Sequence, residues 1–211
     1  MKNMILSQRS LAAFIAILSW TAIGAQFLIS CSNSSIAISE LVVRFFSYFT
    51  ILTNLMVAIC CTSIVLFPKN KIGLFFAKPT IITAVTLYIL IVGLIYNLIL
   101  RFLWQPAGIA RIVDEMLHSL IPILVLIYWW SMIDQRIIHW RSIFSWLLYP
   151  FVYLLYTLWH GALSGFYPYP FVDVSELGMN RVLTNSVVIT VVFLLIGLLL
   201  IRINRRIAKK R

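Results

Sequence analysis

The chain has 211 residues, of which 62% are hydrophobic and 11% charged, whereas soluble domains have about a quarter charged residues. A water-soluble fold has no means of burying so much apolar surface, so the composition predicts an integral membrane protein. The formal net charge of +11 does not indicate a nucleic-acid partner, because the basic residues lie between apolar segments in a pattern that sets membrane topology.

Apolar segments of about 20 residues, the length that crosses a bilayer core, follow one another along the chain. The first apolar segment follows Lys2 and Arg9, as the apolar part of a signal peptide follows its basic start. Because this segment continues through Ile29, we predict an uncleaved helix. The sequence predicts an all-α integral membrane fold, a six-transmembrane-helix bundle, in a single transmembrane domain of residues 1–211. The predicted helices cover residues of about 10–30, 44–67, 80–101, 114–133, 143–160 and 182–202.

Six crossings divide the segments that connect the helices into two sets, one on each side of the membrane. The basic residues are unevenly divided between these sets. The set that includes both termini contains Lys2, Arg9, Lys69, Lys71, Lys78, Arg136, Arg141, Arg202, Arg205, Arg206, Lys209, Lys210 and Arg211. The other set contains Arg44, Arg101, Arg111 and Arg181. Since cytoplasmic segments are rich in Lys and Arg, both termini are predicted to be cytoplasmic.

Polar side chains within the predicted helices are concentrated toward the outer side. Such groups are costly in a bilayer and tend to mark functional sites. They are Thr50, Thr53, Asn54, Asn97, Arg101, His118, Thr157, His160, Thr184 and Asn185. At 1.5 Å per residue, Thr50 below Arg44 and His118 below Asp114 lie at similar depths of about 6 to 9 Å. The sequence does not show whether their helices adjoin.

Asp114 and His118 are four residues apart, so on a continuous helix their side chains share one face and the carboxylate would orient the imidazole. If the helix begins only at Asp114, this residue is instead an N-terminal cap. Simpler interpretations also apply elsewhere: Asn97 and Asn185 would tie helices together, and Arg101 would extend to lipid phosphates.

Three short motifs are similar to those of a known family: residues 49–55 (Phe-Thr-Ile-Leu-Thr-Asn-Leu), residues 114–118 followed by Pro122, and residues 167–171 (Tyr-Pro-Tyr-Pro-Phe). With these motifs, the chain resembles over most of its length the bacterial six-helix relatives of the androgen-induced and androgen-dependent (ADTRP-type) transmembrane threonine hydrolases. The resemblance implies a multi-pass protein of the bacterial inner membrane that hydrolyses fatty-acid esters of hydroxy fatty acids. Where the animal members have an acid after the Thr motif, this chain has Asn54.

Carried over to this sequence, the resemblance implies that Thr50 is the nucleophile and His118 the general base. Thr53, one helical turn from Thr50, is the alternative nucleophile. Asp114 would hold the His118 tautomer while Thr50 attacks an ester carbonyl. The predicted supporting or substrate-binding residues are Asp114, Thr53, Asn54, Asn97, Arg101, His160 and Asn185.

The expected partners are the bilayer and a membrane lipid or fatty-acyl ester substrate, with no nucleic acid, no cofactor and no metal. One alternative is a zinc-dependent membrane hydrolase that uses Asp114, His118 and His160 as ligands. Another is a protein without enzymatic activity that binds or transports lipid, although the sequence lacks the internal repeat common in transporters.

Overall fold

We describe the protein from a computed structural model that covers residues 2–103, 105–132 and 137–208, with the backbone alone for residues 2–7. All regular structure in these residues is helical. The α-helices are α1 (Lys2–Ser32), α2 (Ile38–Phe46), α3 (Phe49–Leu66), α4 (Lys71–Phe76), α5 (Pro79–Leu98), α6 (Gly108–Glu115), α7 (Ile121–Ser131), α8 (Ser142–Ser164), α9 (Val174–Leu177) and α10 (Met179–Ala208). A π-helical turn (Met116–Leu120) joins α6 to α7, and 3₁₀ turns occupy Leu100–Phe102 and Pro170–Val172.

Six helices in the described part of the chain are long and apolar enough to cross a membrane. They are α1, α3, α5, α6 with α7, α8 and α10. The predicted all-helical fold, with six helices long and apolar enough to cross a membrane, is therefore confirmed for the described residues.

Three helix starts differ from the predicted ones, and the first is that of α1, which begins at Lys2 rather than at about residue 10. The second crossing begins at Phe49 rather than at residue 44, because the chain breaks after α2, where the Ser47 hydroxyl bonds to the Val43 carbonyl and to Tyr156. The fourth begins at Gly108, a residue with φ of +59°, six positions before the predicted start. Asp114 therefore lies inside a helix, and its interpretation as an N-terminal cap is wrong. The predicted end of this helix, Ile133, lies outside the described residues.

The other crossings extend differently from the prediction. The third ends as an α-helix at Leu98, and the 3₁₀ turn follows it. The fifth continues to Ser164, and the sixth runs from Met179 to Ala208, so both are longer than their apolar cores. In both helices the residues next to the apolar core continue the helical hydrogen bonding.

Contacts between helix ends place both ends of the described chain at one end of the bundle, which we call the terminal end. There, Gln8 donates to the Ser131 carbonyl, Arg9 donates to the Val65 carbonyl, and Asn204 accepts from the Ile138 backbone N–H. The opposite end, which we call the distal end, contains the segment between α8 and α10. That the terminal end faces the cytoplasm stays a prediction from the basic residues.

Candidate functional site

An elongated cavity of about 400 Å³ lies between α3, α5, α8 and α10. Its lining residues on α8 run from Phe144 to Leu154, about 15 Å at 1.5 Å per residue. Among the described residues that line it, none is charged, and the polar ones are hydroxyls of Thr50, Tyr153, Tyr169, Ser186 and Thr190. The volume is typical of small-molecule sites, and the lining suits an acyl chain.

The cavity opens sideways, between helices, toward the region that lipid would occupy. Three of its α8 lining residues, Phe144, Leu148 and Phe151, are 72%, 61% and 57% exposed. Large apolar side chains with this exposure on a membrane-crossing helix face lipid. A hydrocarbon chain therefore has a path into the cavity that does not cross water.

The segment after α8 covers the distal end of the cavity. The residue after α8, Gly165, is in the left-handed region (φ +70°), which glycine adopts without a Cβ penalty. Tyr167 then packs closely against Gly161, where an added Cβ atom would lie only 2.1 Å from the tyrosine ring. Tyr169, two residues farther along, is buried, and its ring meets Tyr48 and stacks on Phe171.

Thr50 lies in the first turn of α3, at the distal end of the cavity, and bonds to Tyr169. The Thr50 backbone N–H donates to Tyr169 Oη over 3.1 Å, and Thr50 Oγ1 lies 3.2 Å from the same oxygen. Ser186 and Thr190 instead donate to carbonyls one turn back in α10. Thr50 is thus distinguished from the other aliphatic hydroxyls of the cavity, which bond only within their own helix.

A second polar cluster lies beside the cavity and is formed by Tyr96, Asp114 and His118. His118 Nδ1 lies 2.9 Å from the Asp114 carbonyl oxygen and 3.1 Å from the Asp114 carboxylate. The imidazole stacks on the Tyr96 ring with centroids 4.0 Å apart, and the Tyr96 hydroxyl donates to the Asp114 carboxylate. Because two acceptors surround Nδ1, we assign the proton to that nitrogen, which leaves Nε2 with a free lone pair.

Arg101 is held within the protein rather than extended to lipid. Its guanidinium donates to the Glu115 carboxylate over 2.6 Å and to the Ser119 hydroxyl over 3.2 Å, and it lies over the Tyr96 ring. Ser119 in turn donates to Glu115 over 2.8 Å. The guanidinium is therefore engaged by protein groups, and its side chain is 37% exposed.

Pro122 accounts for the π-helical turn and for the positions of two asparagines. Proline has no N–H, so carbonyls four and five residues earlier lose their helical donor. Asn54 from α3 donates to the Leu117 carbonyl over 3.3 Å, and Asn97 from α5 donates to the His118 carbonyl over the same distance. Each amide also bonds within its own helix, Asn54 to Thr50 and Asn97 to Gly93. These amides satisfy backbone oxygens, as the helix-tying interpretation of Asn97 requires.

Removing either amide should destabilise the protein. We expect Asn54→Ala and Asn97→Ala each to cost about 1–3 kcal/mol, because a carbonyl is left without a donor in an apolar setting. The exposed Asn180 on α10 offers a matched control, and Asn180→Ala should have little effect. Thermal unfolding in one detergent measures all three variants. Equal melting temperatures for Asn97→Ala and Asn180→Ala would contradict this role.

The Thr50 and His118 side chains belong to neighbouring sites and are not hydrogen-bonded to each other within the described structure. Ile91, Val92 and Ile95 of α5 line the cavity, whereas Gly93, Tyr96 and Asn97 of the same helix meet the π turn. The His118 cluster therefore lies on a different face of α5 from the cavity. The link between the sites is Asn54, whose amide bonds to the carbonyls of both Thr50 and Leu117.

Three further predicted site residues, Thr53, His160 and Asn185, are not among the described residues that line the cavity. Thr53 is fully buried, with Oγ1 3.2 Å from Tyr149 Oη. His160 stacks on Tyr156 and bonds to Ser164, while Asn185 donates to the Phe171 carbonyl over 2.9 Å. Asn185 thereby fixes the covering segment to α10.

The ligands suggested for the zinc alternative are not gathered in one place. Asp114 and His118 are in contact, but His160 contacts Tyr156, Phe166 and Ser164. Within residues 2–103, 105–132 and 137–208, no group of three or more His, Cys, Asp or Glu side chains is placed to bind a metal ion. The zinc alternative therefore lacks a third ligand in this arrangement.

Sequence reasoning missed two residues, Tyr96 and Tyr169. Tyr96 lies within an apolar run, where an aromatic residue usually indicates packing, and no local spacing connects it to Asp114. Tyr169 belongs to the Tyr-Pro-Tyr-Pro-Phe motif, which indicated only a stiff, extended segment. Its contact with Thr50 joins residues 119 positions apart, and such contacts are not visible from one sequence.

Comparison of the chain with protein-family models, with curated proteins and with solved structures finds no match. The family resemblance suggested by the three short motifs therefore stays a prediction.

Proposed function

We propose that the protein is an intramembrane hydrolase of long-chain lipid esters, with Thr50 as nucleophile and His118 as general base. The observation that supports this most is the Thr50 hydroxyl at the distal end of an apolar, laterally open cavity, in contact with a buried phenol. An acyl chain would fill the cavity and place its ester carbonyl beside Thr50. The absence of charge among the described lining residues favours an uncharged acyl ester over a free fatty carboxylate.

In the proposed reaction, Thr50 Oγ1 attacks the ester carbonyl and His118 Nε2 accepts the threonine proton. His118 then returns that proton to the departing alcohol, and an acyl-threonine remains. Water attacks the acyl-threonine, again giving a proton to His118, and the C–Oγ1 bond breaks. The Thr50 oxygen regains a proton from His118, so the net reaction converts an ester and water into an acid and an alcohol.

His118 must reorient to perform this role. Its ring is stacked on Tyr96 in the described conformation and does not contact Thr50. The backbones are nevertheless close, because one Asn54 amide bonds to both the Thr50 and Leu117 carbonyls. A turn of the ring away from Tyr96 toward α3 is the conformational change that the mechanism needs, and apo sites often lack the catalytic hydrogen bond.

A second candidate is a protein that binds acyl lipids without hydrolysing them. The specific observation in its favour is that His118 is engaged by Asp114 and Tyr96 and is not among the described residues that line the cavity. This protein would bind long-chain esters as tightly as the proposed enzyme, but it would release no product.

The test is hydrolysis of p-nitrophenyl esters by purified protein in detergent micelles. We expect kcat/KM to rise with acyl length from acetate to decanoate, because each buried methylene contributes about 0.8 kcal/mol, or up to about fourfold. Activity should also persist after treatment with a chelator. Absence of hydrolysis with retained binding of a decyl ether would favour the second candidate, and loss of activity on chelation would favour the zinc alternative.

We also place the protein, as part of this proposal, in a bacterial inner membrane with both termini in the cytoplasm. The basic residues support this orientation, since Lys69, Lys71 and Lys78 lie near the same bundle end as Arg202 and Arg205. In that orientation the cavity end that contains Thr50 and Tyr169 lies near the outer face. The substrate would then enter from the outer leaflet.

A further inference from the structure

We propose that Tyr169 is a further catalytic residue of this site, whose hydroxyl stabilises the Thr50 oxygen as it leaves the acyl-threonine. The inference rests on the hydrolase function proposed above. It concerns a residue for which the sequence indicated no chemical role.

The hydrogen bonds around Tyr169 Oη allow the direction of the tyrosine proton to be assigned. Tyr169 Oη accepts the Thr50 backbone N–H over 3.1 Å, so its own proton needs another acceptor. Thr50 Oγ1, at 3.2 Å, is the acceptor that the described residues provide. Buried phenols rarely leave their proton unbonded. We therefore assign the bond as a donation from Tyr169 to the oxygen that reacts.

The protonation state of Tyr169 agrees with a donor role. Burial raises the pKa of Tyr169 to about 12, because the negative phenolate would be poorly solvated there. The group is therefore a neutral phenol at physiological pH and cannot act as the base. It keeps its proton throughout the reaction and contributes only a hydrogen bond.

That hydrogen bond matters most when the acyl-threonine is hydrolysed. As the C–Oγ1 bond breaks, its electron pair moves to Oγ1, which becomes negative until it regains the proton that His118 took from water. A donor already placed at this atom stabilises the charge without reorganisation. With a p-nitrophenyl ester, the first step releases a good leaving group, so hydrolysis of the acyl-threonine limits the rate.

A nearby tyrosine and threonine supply a matched control. Tyr149 Oη and Thr53 Oγ1 are also 3.2 Å apart, one helical turn farther along α3. Neither residue is among the described residues that line the cavity. Tyr149→Phe thus removes a partly buried tyrosine–threonine hydroxyl contact of the same length without touching the proposed reaction.

The test compares wild type, Tyr169→Phe and Tyr149→Phe with p-nitrophenyl decanoate. Phenylalanine keeps the ring contacts with Tyr48 and Phe171. We expect Tyr169→Phe to lower steady-state kcat by about tenfold, as loss of one hydrogen bond predicts, with a smaller fall in kcat/KM. Mass spectrometry should show decanoyl accumulated on the Thr50 peptide, and p-nitrophenol should appear in a stoichiometric burst.

Three outcomes would overturn the role of Tyr169: an unchanged kcat, a loss no larger than in Tyr149→Phe, or a parallel fall in kcat and kcat/KM without acyl-enzyme. In each, wild type would still be active and Thr50→Ala inactive, so the hydrolase proposal would survive. If wild type is inactive, or Thr50→Ala keeps full activity, the hydrolase proposal itself fails and the Tyr169 inference fails with it.

A second measurement applies if Tyr169→Phe does not fold. Incorporation of 3-fluorotyrosine at position 169 keeps the hydroxyl and nearly the same volume, while making the phenol a stronger donor. We expect kcat to equal or exceed that of wild type. A lower kcat in this protein would contradict the proposed stabilisation.

Discussion

Thr50→Ala is expected to reduce ester hydrolysis to the uncatalysed background while leaving the protein folded and able to bind acyl chains. The substitution removes the proposed nucleophile, and a missing nucleophile is not replaced by the remaining members of the site. It leaves the Thr50 backbone N–H that bonds to Tyr169, so one of the two hydrogen bonds between Thr50 and Tyr169 remains. Release of p-nitrophenol and binding of a decyl ether measure the two properties separately.

Thr53→Ala is the matched control for this experiment. Thr53 lies one turn deeper on α3 and is fully buried. It bonds to Tyr149 rather than to a residue of the segment after α8 that covers the cavity. Its loss should cost about 1 kcal/mol of stability, from one hydrogen bond, with little change in kcat. An inactive Thr53→Ala beside a fully active Thr50→Ala would move the nucleophile by one turn. Full activity in both variants would rule out a threonine mechanism.

The membrane-crossing helices were predictable from the sequence because hydropathy is a local property. A run of about 20 apolar residues specifies a crossing whatever its neighbours are. Helix ends depend on less local causes and were predicted poorly. The break after α2 involves Ser47 bonding to Tyr156 of α8, and the start of the fourth crossing depends on glycine geometry at residue 108.

The candidate site was only partly predictable, for a related reason. Intramembrane polarity singled out Thr50, Asn97 and His118, and each of these side chains bonds to another protein group, as polar residues inside a bundle must. Which partners they bond to depends on how each helix is rotated about its own axis. Asn97 bonds to a carbonyl freed by Pro122, and Thr50 bonds to a tyrosine from the segment after α8. The spacing of residues along one helix predicts neither of these contacts.

The position of His118 makes its substitution the most informative test of the proposed mechanism. His118→Ala should lower kcat by about 10²- to 10⁴-fold, the usual contribution of a general base. Asp114→Asn should have a smaller effect, because His118 Nδ1 also bonds to the Asp114 backbone carbonyl at 2.9 Å, which this substitution keeps. The hydrogen bond between His118 Nδ1 and the Asp114 carbonyl, which keeps the proton on Nδ1, therefore remains when the carboxylate is removed.

His160→Ala provides the control, because His160 bonds to Ser164 and stacks on Tyr156, away from the Asp114–His118 pair. We expect wild-type kcat for this variant, whereas the zinc alternative requires His160 as a ligand and predicts inactivity. Added imidazole should restore part of the lost rate in His118→Ala, since a diffusible base can replace a missing one, and it should do nothing for Thr50→Ala. A fully active, correctly folded His118→Ala beside an inactive Thr50→Ala would show that another group accepts the threonine proton and that the His118 cluster has a structural role.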